Sequence, residues 1–267
     1  MSRVAAPGRP TADRRAAEVP DGVDEHLVSL LAPDSFEADQ YRALRHVVEQ
    51  RRSDAGLQIV AITSPGVEEG KTTTALNLAG TLAEGQAARV LLVEADVRRS
   101  AVGRYLGLGH AGRAGLVDAI LDPALTLEDA VVPCRPFNLT VLLAGHHPAI
   151  TYDLLKSARL GELLSDARRR YDYIVLDAPP LVPVPDCRLI ERWVDGFLVV
   201  VAAHRTPRAL LEEALNVMDP AKVVGLVFNG DDRPLRRPYR EAYGRRSRRR
   251  SVRAATDAAG DGLAPGP

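Results

Sequence analysis

Short apolar runs alternate along the chain with amphipathic stretches of helical length. The apolar runs are 57–63, 88–96, 139–145, 171–180, 196–203 and 222–230. Because they are apolar throughout rather than at every second position, they predict strands covered on both faces, as in a parallel sheet. The intervening helical segments are 71–85, 115–121, 151–170, 185–194 and 207–217, with 36–52 ahead of the first strand. This alternation predicts an α/β fold, with a doubly wound, mostly parallel sheet.

The two ends of the chain differ in composition from this body. Residues 1–27 are rich in Ala, Pro, Arg and Asp, and they predict a disordered N-terminal segment before a folded domain at 28–231. A flexible tail is predicted for 232–267, where the stretch 233–253 holds ten arginines against one acid, Glu241. The net charge of the whole chain is zero, so the rest of the molecule balances this basic tail.

The composition argues against several classes of protein. No apolar run follows a basic start, and no stretch of 18 apolar residues occurs, so neither a secretory signal nor a membrane span is expected. The two cysteines, Cys134 and Cys187, are too few for a disulfide framework and are predicted to be small buried residues. These features indicate a cytoplasmic globular protein.

The first predicted strand runs into "SPGVEEGKTTT" (64–74), which has the spacing of a phosphate-binding loop. Gly66 and Gly70 allow close approach of the backbone to phosphates, and the following helix presents its positive end. Lys71 would bridge the β- and γ-phosphates, and the Thr72 hydroxyl would coordinate Mg²⁺. A Gly-Lys-Thr at a helix start can also be a surface cap, but an apolar strand before it and an Ala/Leu-rich helix after it favour a nucleotide site.

Other residues of this loop complete the prediction. Pro65 stands where the usual pattern has its first glycine, and Thr73 is assigned with Thr72 to the nucleotide site. Glu68 and Glu69 add negative charge beside an anion site, so we expect both side chains to point to solvent.

Acidic residues end two further strands of the predicted sheet. Ligands of such sheets lie beyond the carboxyl ends of the strands, so these acids are expected near the loop. Asp177 ends "YIVLD" and predicts a second metal-binding group, which reaches Mg²⁺ through water or holds Thr72. Glu94 and Asp96, in "VLLVEAD", share one face and predict a general base and a metal helper.

Three more polar residues at strand ends have two interpretations each. Arg98 and Arg99 either stabilise phosphate charge, in the same subunit or a neighbouring one, or belong to a solvated turn. Asn229, in "NGDD", either reads the adenine edge or is a turn residue.

Three segments of the chain resemble a known family. The segments "SPGVEEGKTTTALNLA", "VLLVEADVRR" and "YDYIVLDAPPLVPVPD" are similar to the nucleotide motifs of bacterial tyrosine kinases (BY-kinases) of the CpsD/CapB group. These are P-loop NTPases of the deviant Walker type, and they are similar to the cytoplasmic domains of polysaccharide co-polymerases. The resemblance covers about 36–230.

The resemblance implies ATP and Mg²⁺ as cofactors and assigns roles to residues. It implies that Lys71 and Thr72 hold Mg-ATP, that Glu94 and Asp96 activate the attacking group, and that Asp177 binds the metal. Thr72, Asp96 and Asp177 are thus the expected metal ligands. The resemblance also implies regulation of capsule or exopolysaccharide export and a membrane-embedded partner, hence a peripheral position at the inner face of the cell membrane.

The same resemblance implies self-assembly and self-phosphorylation. The segment "DQYRALR" is similar to the family's ring-assembly motif, which assigns Asp39, Arg42 and Arg45 to a homo-oligomer interface. Tyr239 and Tyr243, in the basic tail, are the expected phosphoacceptors. The chain departs from the family in having Glu94 for Asp, Asp39 for Glu, and two tail tyrosines instead of a run.

Two alternatives remain open at the level of sequence. A ParA/MinD-type ATPase switch would share this fold, although that group usually has a lysine where this chain has Gly66. A catalytically weak ATP-binding scaffold of an export complex is the other alternative. The basic tail could bind an anionic membrane surface or DNA phosphates, or merely aid solubility. A nucleic-acid partner is not expected, because neither a recognition helix nor interleaved aromatic residues accompany the arginines.

Overall fold

The computed structural model describes residues 22–84, 88–108, 113–146 and 151–231. Its seven strands are β1 Ile59–Thr63, β2 Val90–Glu94, β3 Val132–Cys134, β4 Leu139–Leu142, β5 Tyr173–Asp177, β6 Gly196–Ala202 and β7 Val223–Asn229. They form one sheet of order β3-β4-β2-β5-β1-β6-β7, in which every pair is parallel except β3 with β4. The prediction of a mostly parallel, doubly wound sheet is confirmed.

Ten α-helices connect or flank these strands in the described ranges. They are α1 Val28–Leu31, α2 Phe36–Ala55, α3 Lys71–Ala83, α4 Val102–Tyr105, α5 Leu116–Leu121, α6 Leu127–Ala130, α7 Thr151–Lys156, α8 Ala158–Arg170, α9 Asp186–Ile190 and α10 Arg208–Asn216. The single helix predicted for 151–170 is two helices, because Ser157 caps α8 by accepting a hydrogen bond from the Arg159 N–H. Within these ranges, no helix is long and apolar enough to cross a membrane.

The sheet is covered on both faces by helices. On one face, Ile59, Val93 and Phe197 pack with residues of α5 to α10, among them Leu160 and Leu164. On the other face, alternate residues of the same strands pack against α1, α2 and α3. Burial on both faces explains why the runs of β1, β2, β5 and β6 are apolar at nearly every position, whereas the edge strand β7 is only partly buried.

The body of the fold begins before Val28. Residues 22–27, which the sequence analysis assigned to a disordered segment, lie against the domain: Leu27 is fully buried, and Val23 pairs with Leu106. The rest of the predicted N-terminal segment (1–21) and the predicted tail (232–267) lie outside the described residues. Both cysteines are buried and free, as predicted.

Candidate nucleotide-binding site

The loop between β1 and α3 contains two residues in left-handed backbone conformations. Gly70, the N-cap of α3, has φ +92°, and Glu68 has φ +58°. A Cβ atom at Gly70 would lie 1.9 Å from Asn229 Nδ2, so only glycine fits at this position. The first N–H groups of α3 have no partner within the helix and can bind an anion. Gly66 lies in the same loop, and Gly70 begins α3.

Lys71 and the acids of two neighbouring strands converge at this loop. Lys71 Nζ lies 2.8 Å from Asp96 Oδ2, just beyond β2. Strand β2 pairs with β5 so that Glu94 is opposite Asp177, and the N–H of Asp96 donates to the Asp177 carbonyl at 2.9 Å. The Thr72 hydroxyl lies beside the Asp177 carboxyl. The structure thus brings together Lys71, Thr72, Asp96 and Asp177.

Asp177 has the surroundings of a cation ligand. Its side chain is 1% exposed, and Oδ1 has no hydrogen-bond partner in the part of the chain that the structure describes. Burial raises the pKa of Asp177 to about 7, although the Lys71 ammonium and the Thr72 hydroxyl lower it. An unpartnered buried carboxylate oxygen beside a hydroxyl and a second carboxylate suits Mg²⁺, which prefers oxygen ligands. No group of three or more His, Cys, Asp or Glu side chains in the described ranges forms an all-protein metal cage. Phosphate oxygens and water would have to complete the coordination.

Glu94 is the one member of the predicted catalytic group that points elsewhere. Its Oε1 accepts hydrogen bonds from the N–H groups of Ala101 and Val102, and its Oε2 accepts from the N–H of Ala144 at 2.9 Å. The prediction that Glu94 activates the attacking group disagrees with this geometry, because backbone donors occupy both oxygens. The side chain of Glu is longer than that of the Asp usual in the family. It reaches the loop at Ala101 and the loop at Ala144 and connects both to β2.

The two arginines after β2 have different partners. Arg98 makes a two-point ion pair with Asp186 of α9, whose side chain is fully buried. Arg98 therefore lies in an exposed turn after β2, as one of its two interpretations predicted, and its guanidinium pairs with Asp186 rather than facing the loop. Asp186 is a partner that the sequence analysis missed, although "PVPD" was among the segments resembling the family. Arg99 remains exposed, 3.8 Å from Glu68.

Glu69 does not point to solvent as expected. Its side chain is 6% exposed; Oε2 accepts the Gly66 N–H at 3.1 Å, and Oε1 accepts the Thr206 hydroxyl at 2.6 Å. Asn229 Nδ2 donates to the Glu69 carbonyl at 3.0 Å, so this amide supports the loop. Glu68 does point to solvent, as predicted, with a side chain 79% exposed.

The predicted assembly residues make contacts within the chain. Arg42 donates to both carboxylate oxygens of Glu84, at 3.1 and 3.0 Å, and to Asp39 at 2.9 Å. Arg45 donates to the Thr81 carbonyl at 2.7 Å, near the end of α3. These contacts attach α2 to α3.

Two groups of predicted site residues remain. Thr73 is half-buried in the first turn of α3, and its carbonyl accepts a hydrogen bond from Asn77 Nδ2 at 2.9 Å. Tyr239 and Tyr243, the predicted phosphoacceptors, lie outside the described residues.

Known proteins share both the sequence and the fold of this chain. A family model described as "AAA domain" matches residues 58–188. The tyrosine-protein kinase YwqD of Bacillus subtilis (strain 168) is 32% identical over 211 residues, which cover 78% of this chain and 87% of that protein. The succinoglycan biosynthesis transport protein ExoP of Rhizobium meliloti (strain 1021) is also 32% identical, over 75% of this chain, but the match spans only 26% of ExoP.

Solved structures point the same way. The BceF tyrosine kinase domain is 30% identical with a TM-score of 0.68, covering 76% of this chain and 81% of that domain. The MinC:MinD cell division complex of Aquifex aeolicus has 19% identity and a TM-score of 0.53, over 64% of this chain and 67% of the matched chain. That second likeness concerns the fold alone.

Proposed function

The chain belongs to the family of bacterial tyrosine-protein kinases, and from this premise we propose that it transfers the γ-phosphoryl group of Mg-ATP to tyrosine side chains. The observation that carries the proposal is the convergence of Lys71, Thr72, Asp96 and Asp177 at the mouth of the phosphate loop. Phosphoryl transfer depends mainly on positioning and on stabilisation of charge, and this cluster supplies both.

Lys71 would bind the β- and γ-phosphates, and its present partner is consistent with that role. Its ammonium lies 2.8 Å from a carboxylate oxygen of Asp96, so it already pairs with a negatively charged group. A phosphate entering the loop would compete with Asp96 for Lys71. Asp96 would then be released to face a metal ion or the incoming hydroxyl.

The metal site would use Thr72, Asp96 and Asp177. Mg²⁺, when bound there, neutralises charge on the phosphates. A free phenol ionises near pH ~10, so a tyrosine needs a carboxylate to accept its proton or to orient it. Asp96 is the better candidate for this base, since both oxygens of Glu94 accept hydrogen bonds from backbone N–H groups.

The proposed acceptors are Tyr239 and Tyr243 of the basic tail, phosphorylated within a homo-oligomer. Asp39, Arg42 and Arg45 are proposed to contribute to its interface, although all three also have partners within their own chain. Asn229 and Thr73 are proposed to complete the nucleotide site. The Asn229 side chain lies next to Gly70 and contacts the loop directly.

The proposed cellular role is regulation of capsule or exopolysaccharide export at the inner face of the cell membrane. Support comes from the likeness to ExoP, a succinoglycan biosynthesis transport protein of which this chain spans about a quarter. The partner would be a membrane-embedded polysaccharide co-polymerase. The ten arginines at 233–253 would add affinity for anionic lipid, at about 1 kcal/mol per residue near the surface.

The test is phosphopeptide mapping of the full chain after incubation with Mg-ATP. We expect phosphate on Tyr239 or Tyr243, its loss in the Lys71→Met variant, and loss of one site at a time in Tyr239→Phe and Tyr243→Phe. The Arg208→Ala variant, on an exposed side chain, is the matched control and should be labelled like the wild type. Unlabelled tyrosines, even with the cytoplasmic segment of a co-polymerase present, would overturn the kinase proposal.

MinD shares the fold, so the ATPase switch of the ParA/MinD type must be distinguished from a kinase by experiment. The switch predicts release of inorganic phosphate, with a rate that rises with protein concentration, and no phosphotyrosine. Nucleotide binding without transfer or release would instead indicate the scaffold alternative.

A further inference from the structure

Glu69 is a carboxylate buried inside a loop that is built to bind anions. The Glu69 carboxylate accepts a hydrogen bond from the N–H of Gly66, three residues earlier in the loop. Lys71 lies two residues after Glu69. A negative charge in this loop opposes phosphate binding, so the burial of Glu69 needs a separate structural reason. The hydrogen-bond partners of Glu69 indicate that reason.

The side chain of Glu69 joins the phosphate loop to a different part of the fold. Oε1 accepts the hydroxyl of Thr206 at 2.6 Å, and Thr206 Oγ1 in turn accepts the N–H of Ala202 at 2.9 Å. Ala202 ends β6, and Thr206 lies in the turn before α10. The loop after β1 is thereby attached to the end of the neighbouring strand.

The carbonyl of the same residue makes a second attachment. Asn229, the last residue of β7, donates its side-chain amide to Glu69 O at 3.0 Å. Glu69 therefore connects the loop to two adjacent strand ends through different atoms, while its other carboxylate oxygen closes the loop on Gly66.

These attachments surround a residue in an unfavourable backbone conformation. Glu68 has φ +58°, a left-handed conformation that is unfavourable for residues other than glycine. Such residues persist when the surrounding contacts determine the backbone, and they concentrate at functional sites. Glu69 is the next residue and supplies those contacts.

We infer that Glu69 and Thr206 are positioning residues that hold the phosphate loop in its nucleotide-binding shape. Without this connection, Glu68 leaves its left-handed conformation, and the loop spends less time with its N–H groups positioned to bind phosphate. Nucleotide affinity then falls in proportion to the lost population. The inference rests on the proposed nucleotide site and adds to it two residues outside the phosphate-loop motif's usual roles.

The test measures Mg-ADP binding to the full chain by calorimetry. The Thr206→Val variant keeps the shape of the side chain and loses the hydroxyl, and we expect its Kd to rise about tenfold, as for a lost hydrogen bond to a buried charge. The Thr206→Ser variant keeps the hydroxyl and should bind within about twofold of the wild type.

Thr126 provides a matched control. Its hydroxyl also pairs with a carboxylate, that of Asp129, at the start of α6 and outside the loop. The Thr126→Val variant should lower the melting temperature without changing the Kd for Mg-ADP. Hydrogen exchange of the Gly66 amide supplies a second measurement, and it should accelerate in Thr206→Val only.

A rescue experiment tests the role of the left-handed residue. Glu68→Gly, added to Thr206→Val, relieves the backbone strain and should recover part of the lost affinity. Glu68→Gln removes the same charge but keeps a side chain, so it should recover less. Equal recovery by both variants would contradict this mechanism.

Two results separate this inference from the proposed function. If the wild type binds Mg-ADP and Thr206→Val binds it equally well, the positioning role is overturned and the nucleotide site stands. If Thr126→Val weakens binding as much as Thr206→Val does, the effect is one of general stability and the inference is also overturned. Wild-type protein that does not bind Mg-ADP would overturn the nucleotide site and this inference together.

Discussion

Glu94 accepts hydrogen bonds from the backbone N–H groups of Ala101, Val102 and Ala144, and its side chain is 2% exposed. A buried carboxylate that accepts hydrogen bonds from several N–H groups holds those backbone segments together. Glu94 therefore fixes the backbone around the site without facing it. Asp96 and Asp177 are the carboxylates that lie beside Lys71 and Thr72.

Replacement of Glu94 by Gln separates these roles. The amide group would direct its own N–H at backbone donors, so we expect the free energy of unfolding in urea to fall by about 1–3 kcal/mol. The rate of tyrosine phosphorylation per folded molecule should stay within a few-fold of the wild type. A hundredfold loss of rate with unchanged stability would instead show that Glu94 takes part in the chemistry.

The two cysteines provide a prediction about reactivity. Burial raises the pKa of Cys134 to about 11 and that of Cys187 to about 12. Because the thiolate is the reactive form, both residues should resist iodoacetamide at pH 8 in the folded protein. Both should react within minutes in urea, which mass spectrometry of the alkylated chain would show. Rapid alkylation of either cysteine in the native protein would contradict the structure.

At the scale of elements, α8 and the 3-10 turn Glu191–Trp193 pack closely. A Cβ atom on Gly161 of α8 would lie 2.3 Å from the Trp193 ring, so this contact requires glycine, which has no side chain, at residue 161. Glycine is a poor helix former, and its presence inside a helix is explained here by close approach of an aromatic ring.

We expect Gly161→Ala to lower the free energy of unfolding by about 1–3 kcal/mol through overpacking, despite the better helix propensity of alanine. Gly103→Ala in α4 is the control, because the nearest side-chain atom, on Leu143, is 3.6 Å away from the added Cβ. That variant should be neutral or slightly stabilising in thermal unfolding. Equal effects of the two substitutions would refute the packing argument.

Asp195 connects β1 to α8 and gives the stability of the domain a dependence on pH. Its carboxylate accepts the N–H groups of Gln58 and Ile59 and pairs with Arg168. Burial acts to raise the pKa of Asp195, but Arg168 and the two amides hold it below the ordinary value of 3.8. An acid with a lowered folded-state pKa stabilises the fold above its unfolded-state pKa, and this contribution is lost as pH falls through the folded-state value.

The Asp195→Asn variant should therefore be less stable than the wild type at pH 7. The difference in unfolding free energy should shrink as the pH falls below about 4. Denaturant unfolding of both proteins at several pH values would measure it. A difference that is constant from pH 7 to pH 3 would exclude this carboxylate as the source.

At the scale of the whole molecule, the sequence predicts elements better than contacts. All six apolar runs contain strands, and five of these strands are buried on both faces, which leaves a pattern that turns and surface helices do not share. The sixth, β7, lies at the sheet edge and is only partly buried. Strand β3 was missed because three residues that include Pro133 do not form a recognisable run. The strand order was not predicted, because it follows from long-range packing rather than from local pattern.

The site shows the same division. Gly70, Lys71, Thr72, Asp96 and Asp177 were predictable, because the phosphate loop and the strand ends are local signals. Glu69 was placed in solvent, since its partner Thr206 lies 137 residues away along the chain. The position of Arg98 on Asp186 was missed for the same reason, at a separation of 88 residues.

The most direct test of the central claim follows the γ-phosphate of radiolabelled ATP in the full-length protein with Mg²⁺. The label on tyrosine and the label released as inorganic phosphate are measured in the same reaction. The account predicts label on protein tyrosine that disappears in Lys71→Met and in Asp177→Asn, with both variants still folded by circular dichroism. Label found only as inorganic phosphate, or tyrosine label that persists in Lys71→Met, would contradict it.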